Sequence, residues 1–297
     1  MPELPEVETI ARGLRPLLEG NCIVRAEVWR PNVVVGPVRR FERALAGRTV
    51  ERVGRRAKLL HFDLDGGDVW WTSLRMTGHY LVQPSEEEGG IARARSRPRT
   101  AASPGGRRRP PPDPFARARF DLASGERLYY VDVRTLGKLG VASRETWEER
   151  IAELGPEPLG PRFTADGLLR RLKRTRRRIK EVLLDQRAVS GIGNIYASEA
   201  LFRAGIHPRA RASDLSRPAV ERLHAAVRDV LREAIRFQGT TFLNFAGTEG
   251  ESGAFQERLR VYDRADESCL TCGGPLRRIV QAQRSTYYCP ICQRRRR

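Results

Sequence analysis

No apolar run in this 297-residue chain approaches the roughly 20 residues a membrane-spanning helix needs, although 40% of its residues are hydrophobic. The polar N-terminus also lacks the apolar core of a secretion signal. These two absences predict a soluble, cytoplasmic protein. Cysteine is scarce, with five in all, and without a secretory context they do not suggest a disulfide framework. Acidic residues are also in deficit, 36 against 55 Lys and Arg, for a net charge of +19 and a pI near 10.9. That imbalance favours a polyanionic partner over an acidic small molecule, and nucleic acid leads the candidates because the charge is clustered.

The chain is long enough for two domains. Pro5 to Leu18 carries a helical stripe of Val7, Ile10, Leu14 and Leu17, ended by Gly20. Short apolar runs follow at Cys22 to Trp29, Lys58 to Leu64, Val69 to Trp71, Tyr80 to Val82, Ala118 to Leu122 and Arg127 to Val131. Asp65-Gly66-Gly67-Asp68 and Ser124-Gly125 have turn chemistry that joins antiparallel strands, so a β-sandwich or flattened barrel is the economical fold for residues 1–153. Between residues 84 and 115 the composition collapses into Gly, Pro, Ser, Ala and Arg, the signature of a disordered insertion. Leu154 to Pro161 alternates proline and glycine as a linker does. Beyond it, Leu168, Leu172, Ile179 and Leu183 mark an apolar helical face amid a run of surface cations from Arg170 to Lys180. Ser216 is a candidate N-cap for a long amphipathic helix that Gly239 would end.

Four motifs carry chemistry. If Met1 is removed, Pro2 presents a secondary amine with a pKa of about 8, able to attack a carbonyl-like carbon and form a cationic iminium. Glu3 and Glu6 stand close enough in sequence to move the protons, although Pro at position 2 also occurs in chains with no catalytic terminus. Cys269-x-x-Cys272 and Cys289-x-x-Cys292 have the spacing of a closed four-thiolate Zn(II) site, structural rather than catalytic. Two disulfides or a redox dithiol are the alternatives, and neither has a supporting context. Cys22 reads as a buried apolar thiol. Between the knuckles, Gln281 to Thr286 reads as the turn of a hairpin with Arg284 at its tip. Finally, Gly191-Ile192-Gly193-Asn194 matches a dinucleotide fingerprint formally, but the residues before it have helical spacing. What remains is a helix, a glycine turn and a second helix from Asn194 to Ala204, whose first amides and Asn194 side chain could hold a phosphate, a plain interhelical turn being the alternative. Arg55-Arg56-Ala57-Lys58 is placed between strands, where Lys58 could touch a substrate phosphate or sugar or serve only as a solubilising loop residue.

Together these residues resemble the formamidopyrimidine-DNA glycosylase (Fpg or MutM) family. The matching stretches are Met1 to Thr9, Arg55 to Leu60, Arg75 to Gly78, Leu154 to Leu159, Gly191 to Pro208 and Gln283 to Cys292. The resemblance implies an α+β multidomain fold: an N-terminal antiparallel β-sandwich flanked by helices (1–153), a helical helix-two-turn-helix domain (162–260), and a β-hairpin zinc finger with a basic tail (261–297). It implies base excision repair of oxidised purines such as 8-oxoguanine and formamidopyrimidines, with strand cleavage by β,δ-elimination at the abasic site. It assigns Pro2 as nucleophile, Glu3 as acid and base, Glu6 as supporting carboxylate and Lys58 as a catalytic or phosphate-contacting lysine. Asn194 and Arg284 would hold phosphate, with Arg284 also counted in the catalytic set, and Met76, Arg134 and Leu136 would fill the hole left by a flipped base. Cofactor and partner are one structural Zn(II) and lesion-bearing double-stranded DNA, bound by a monomer at the nucleoid.

Two positions depart from the family pattern. Leu136 stands where phenylalanine is usual and Leu243 where many relatives have lysine, which touches lesion preference rather than the chemistry. The sister endonuclease VIII branch, acting on oxidised pyrimidines, is the nearest rival, and Leu4 with Val7-Glu8-Thr9 favours the purine branch. A non-catalytic zinc-finger DNA-binding protein is the rival from another class.

Overall fold

The computed structural model describes residues 2–84, 113–240 and 254–294. Most of the arginine-proline insertion, Leu243 and the segment from Gly247 to Gly253 lie outside them. The chain opens with α1 (Leu4–Leu18), β1 (Cys22–Val28) and α2 (Val38–Leu45). It continues through β2 (Arg48–Arg56), β3 (Leu59–Leu64), β4 (Val69–Ser73), β5 (Gly78–Gln83), β6 (Ala116–Leu122), β7 (Arg127–Asp132), β8 (Lys138–Ala142) and α3 (Arg144–Ala152). All strand pairs are antiparallel, in the order β5-β7-β6-β1-β2-β3-β4-β8. β1 and β2 share only the pairs Cys22 with Thr49 and Ile23 with Arg48, so the sheet folds over there into two four-stranded leaves. Ile23, Phe62, Trp70, Tyr80 and Phe120 fill the space between the leaves with Val7, Leu14 and Leu18 of α1. Trp70 bridges them, its ring 4.1 Å from Phe62 and 4.6 Å from Phe120. This is the expected sandwich.

Strand β2 was not legible as a strand. Its apolar residues Val50 and Val53 are three apart, because a bulge between Val50 and Arg52 inserts one residue and returns both side chains to the core. Arg55 and Arg56 therefore lie in a strand, and only Ala57 and Lys58 form the turn. Cys22 is half-buried at the start of β1 rather than interior.

The second half packs α4 (Ala165–Lys173), α5 (Ile179–Leu184), α6 (Asn194–Arg203) and α7 (Arg217–Arg236) around a separate core. Leu168 and Leu172 share that core with Ile179 and Leu183, but on two helices, since the chain turns at Arg174. Ser216 occupies the N-cap of α7 without a side-chain capping bond, and Gln238 and Gly239, both at positive φ, end it. β9 (Arg277–Gln281) and β10 (Arg284–Tyr288) form the hairpin, turned by Ala282 and Gln283 at φ 44° and 59°. Arg284 is thus the first residue of the returning strand.

Two joints hold these parts together. Leu4 of α1 packs in the helical core, and its amide bonds the Gly191 carbonyl at 3.0 Å. Across the linker, Glu157 pairs with Arg55 at 2.8 Å and Arg56 at 2.9 Å, while Arg56 also donates to the carbonyls of Leu154 and Gly155. Glu157 accepts the Ala57 amide as well, so the turn bearing Lys58 is held from the linker.

Candidate active site

The site forms where the first turn of α1 meets the first turn of α6. Glu3 is 2% exposed, and its carboxylate accepts the amides of Gly193 at 2.6 Å, Ile195 at 3.0 Å and Tyr196 at 3.5 Å. The anion expected at this helix start is therefore Glu3 itself, not a phosphate. Position 193 requires glycine, because a Cβ there would sit 2.4 Å from the Glu3 carboxyl carbon. Burial pushes the Glu3 carboxyl above its ordinary range, Lys58 pulls it back in part, and the Ile195 and Gly193 amides oppose the rise more weakly. A proton held nearer neutrality beside a reacting sugar is what a general acid needs.

Glu6 stands behind it, 3% exposed. Its Oε2 accepts the Glu3 amide at 2.9 Å, which fixes the backbone next to Pro2. Its Oε1 accepts the Tyr196 hydroxyl and, at 3.0 Å and 3.2 Å, the Thr240 amide and hydroxyl. Burial first, and then the Glu6 charge, hold the Tyr196 phenol protonated. Lys58 follows the left-handed Ala57 at φ 56°. Burial lowers its ammonium pKa, Glu3 raises it, and Arg284 lowers it again, so these three groups share one electrostatic field.

Arg284 reaches this field because the hairpin is bolted to the helical domain. Asn194 donates to the Ser285 carbonyl at 2.9 Å. Lys180 donates to the same carbonyl at 3.3 Å and to the Thr286 hydroxyl at 2.8 Å. Lys180 is 1% exposed, not one of a run of surface cations, and burial lowers its pKa to about 7. Glu3 raises that pKa in part and Arg284 lowers it further, so the buried ammonium is only partly compensated.

A second cluster stands on the sandwich. Met76 lies in the turn between β4 and β5, and Arg134 and Leu136 in the turn between β7 and β8. Met76 and Leu136 are 46% and 42% exposed, large apolar side chains in water with the Arg134 guanidinium 3.2 Å from the Met76 sulfur. Buried Asp132 shapes the second turn by accepting the amides of Arg134 at 3.2 Å and Gly137 at 2.8 Å and the Thr77 hydroxyl. A Cβ on Gly137 would strike the Tyr130 hydroxyl at 1.7 Å.

The sulfurs of Cys269, Cys272, Cys289 and Cys292 all lie within 4.8 Å of one another. Tetrahedral zinc with bonds of about 2.3 Å separates its sulfurs by about 3.8 Å, so the donor set fits one Zn(II) with no open position. Gln293, fully buried, locks this knuckle to the helical domain. Its side chain accepts the Cys289 amide at 2.9 Å and donates to the Ile206 carbonyl at 2.8 Å. Glu199 of α6 does the same from below, accepting the amides of Arg260, Val261 and Tyr262.

Thus Glu3, Glu6, Lys58, Asn194 and Arg284 converge, with Pro2 adjoining Glu3, while Met76, Arg134 and Leu136 form their own cluster. Tyr196, Thr240, Lys180 and Gln293 were missed, and Gly193 was read only as part of the interhelical turn. Lys180 had one available signal, its position between Ile179 and Leu183 on a buried face, and the others became visible only through pairings distant in sequence.

Three family models match the chain: the formamidopyrimidine-DNA glycosylase N-terminal domain over residues 1–139, the formamidopyrimidine-DNA glycosylase H2TH domain over 154–245, and the zinc finger found in FPG and IleRS over 266–295. The formamidopyrimidine-DNA glycosylase of Azorhizobium caulinodans is 42% identical over 304 residues, covering 99% of this chain and 100% of that protein. The Bacillus subtilis enzyme of the same name is 39% identical over 99% of both chains. Among solved structures, MutM (Fpg) of Thermus thermophilus aligns with a TM-score of 0.82 at 36% identity, covering 98% of each chain. Lactococcus lactis Fpg in complex with abasic-site DNA aligns at 0.85 and 28% identity, covering 99% of this chain and 100% of that one.

Proposed function

The chain belongs to the formamidopyrimidine-DNA glycosylase family, and from that premise we propose how its own residues carry the reaction. It is a base-excision-repair glycosylase with the family's associated abasic-site lyase activity. Once Met1 is removed, the Pro2 nitrogen attacks C1′ of the damaged nucleotide; the N–C1′ bond forms, the glycosidic bond breaks, and the base leaves with its electron pair and takes up the proton that the proline nitrogen sheds. Glu3 gives its proton to O4′ as the sugar ring opens, leaving a cationic iminium between Pro2 and C1′. That cation makes the C2′ proton acidic. Loss of this proton expels the 3′ phosphate, a second elimination expels the 5′ phosphate, and water then frees the proline. Glu6 holds the Glu3 backbone in place, Lys58 and Arg284 grip flanking phosphates, and Asn194 positions the hairpin that carries Arg284. Met76, Arg134 and Leu136 enter the stack where the lesion has flipped out. The four thiolates hold a zinc ion whose contribution is structural.

The observation carrying this reading is the Glu3 carboxyl, buried next to Pro2, set on three backbone amides and held above its usual pKa. Oxidised purines are the proposed lesions and a monomer the proposed form. Competition between duplexes bearing 8-oxoguanine and thymine glycol tests the first, and light scattering the second. No helix among the described residues is long and apolar enough to cross a membrane, consistent with the proposed place at the nucleoid. The mechanism is tested by borohydride trapping on a lesion duplex, with mass spectrometry to establish removal of Met1. Trapping should cross-link the N-terminal peptide, and Pro2→Gly should weaken it while duplex affinity survives. Undiminished trapping by that variant would remove Pro2 from its role.

A further inference from the structure

We propose that the helical region carries a second track for nucleic-acid backbone, separate from the lesion-binding site. Three cavities of about 880, 580 and 630 Å³ run along it. They are contiguous: Arg174 lines the first and second, and Arg211 and Asp214 line the second and third. Thirteen cationic side chains and three carboxylates surround them. Two of the carboxylates are already neutralised, Glu157 by Arg55 and Arg56 and Glu153 by Arg187. Apart from Arg56 and Arg187, none of the lining cations makes an ion pair among the described residues, and Arg174, Arg176 and Arg211 stand exposed. An uncompensated row of guanidinium groups is self-repulsive until a polyanion lies along it.

The trough is distinct from the site already described. None of Pro2, Glu3, Glu6, Lys58, Asn194 and Arg284 lines any of the three cavities. The third cavity opens beside Gly205 and Ile206, just past the C-terminal end of α6, whereas Glu3 sits on the first turn of that helix. Ten residues at about 1.5 Å each separate them by about 15 Å.

The lining chemistry selects the occupant. Protein docking surfaces have apolar centres rich in aromatic side chains. Here the apolar lining residues Phe163, Leu168, Ile206 and Leu215 are buried, and arginine is the commonest residue of the lining. Each cavity alone is large enough for a small ligand, and three in series exceed what one nucleotide fills. A duplex backbone offers a negative charge every 1.7 Å or so along its axis, a pitch that a row of flexible arginines can follow. With one segment at the lesion site and another in the trough, a single molecule would bridge two stretches of DNA.

The test saturates the protein with a short unlabelled duplex carrying an abasic-site analogue, then titrates it with a fluorescent undamaged duplex at low salt. The first titration reads occupancy of the lesion site by itself, so failure there is separable from failure of the trough. The comparison protein is Arg171→Gln/Arg174→Gln/Arg176→Gln/Arg211→Gln, four side chains with no hydrogen bond or ion pair among the described residues. The saturated wild type should bind the second duplex, and the variant should bind it at least about tenfold more weakly, its salt slope falling by about 0.9 for each phosphate it no longer neutralises. Nicking of a short lesion duplex should be unchanged. Equal second-duplex binding by the two proteins would overturn the proposal, as would none on the wild type, the latter in favour of an acidic protein partner.

Discussion

At the scale of single residues, the reaction depends on keeping one carboxyl dry. Glu3 is raised chiefly by burial, so Glu3→Gln, which keeps the shape but cannot transfer a proton, should reduce base excision by about 10²- to 10⁴-fold in single-turnover assays. Gly193→Ala should approach the same loss without touching a titrating group, since its methyl must displace the Glu3 carboxylate. Near-wild-type excision by Gly193→Ala would mean that the carboxyl need not sit on the α6 amides. Lys180 offers a stability test. Its folded pKa is depressed to about 7 from 10.5, so between those values the unfolded chain binds the extra proton and stability rises with pH. The penalty is complete below pH 7 and fades toward pH 10, at a limiting slope of about 1.4 kcal/mol per unit. Lys180→Met should therefore flatten the rise in melting temperature of the free protein between pH 7 and 9, and a parallel profile would show that Lys180 does not titrate there.

At the scale of elements, most of what was legible came from period and punctuation. The stripe of α1, the strands around the Asp65-Gly66-Gly67-Asp68 turn and the two CxxC knuckles were readable because their signals are local. β2 was hidden by its bulge, α4 and α5 merged because both contribute to one core, and Lys180 passed for surface because its neighbours in sequence are arginines. The bond from Asn194 to Ser285 and the locking role of Gln293 join residues far apart in the chain, which no single-sequence pattern encodes. The zinc finger should behave as one element. Removing the metal with a chelator should release the hairpin and with it Arg284, lowering lesion binding while the helical circular dichroism of α4 to α7 persists. Gln293→Ala strands the Ile206 carbonyl and the Cys289 amide, at a cost of about 1 to 3 kcal/mol, and should speed zinc loss to a colorimetric chelator. Zinc release at the wild-type rate would relieve Gln293 of that role.

At the scale of the whole molecule, the net charge of +19 makes affinity a function of ionic strength. A protein contacting six to ten phosphates loses about 10³- to 10⁵-fold in affinity between 50 and 200 mM salt, and a duplex titration across that range should show a fall of that order. A shallow slope would mean that most of the arginines face solvent. Charge and composition pointed to nucleic acid, but not to how the parts meet: the Glu157 clamp and the Leu4 anchor emerge only from the folded chain.

The seating of Glu3 against the start of α6 ties reactivity to posture. If α1 and α6 part, water reaches the carboxyl and the amides withdraw, so the burial that raises its pKa is lost. The acid of this site is thus assembled by the joint between two helix starts, and its proton affinity lasts only as long as that joint stays shut.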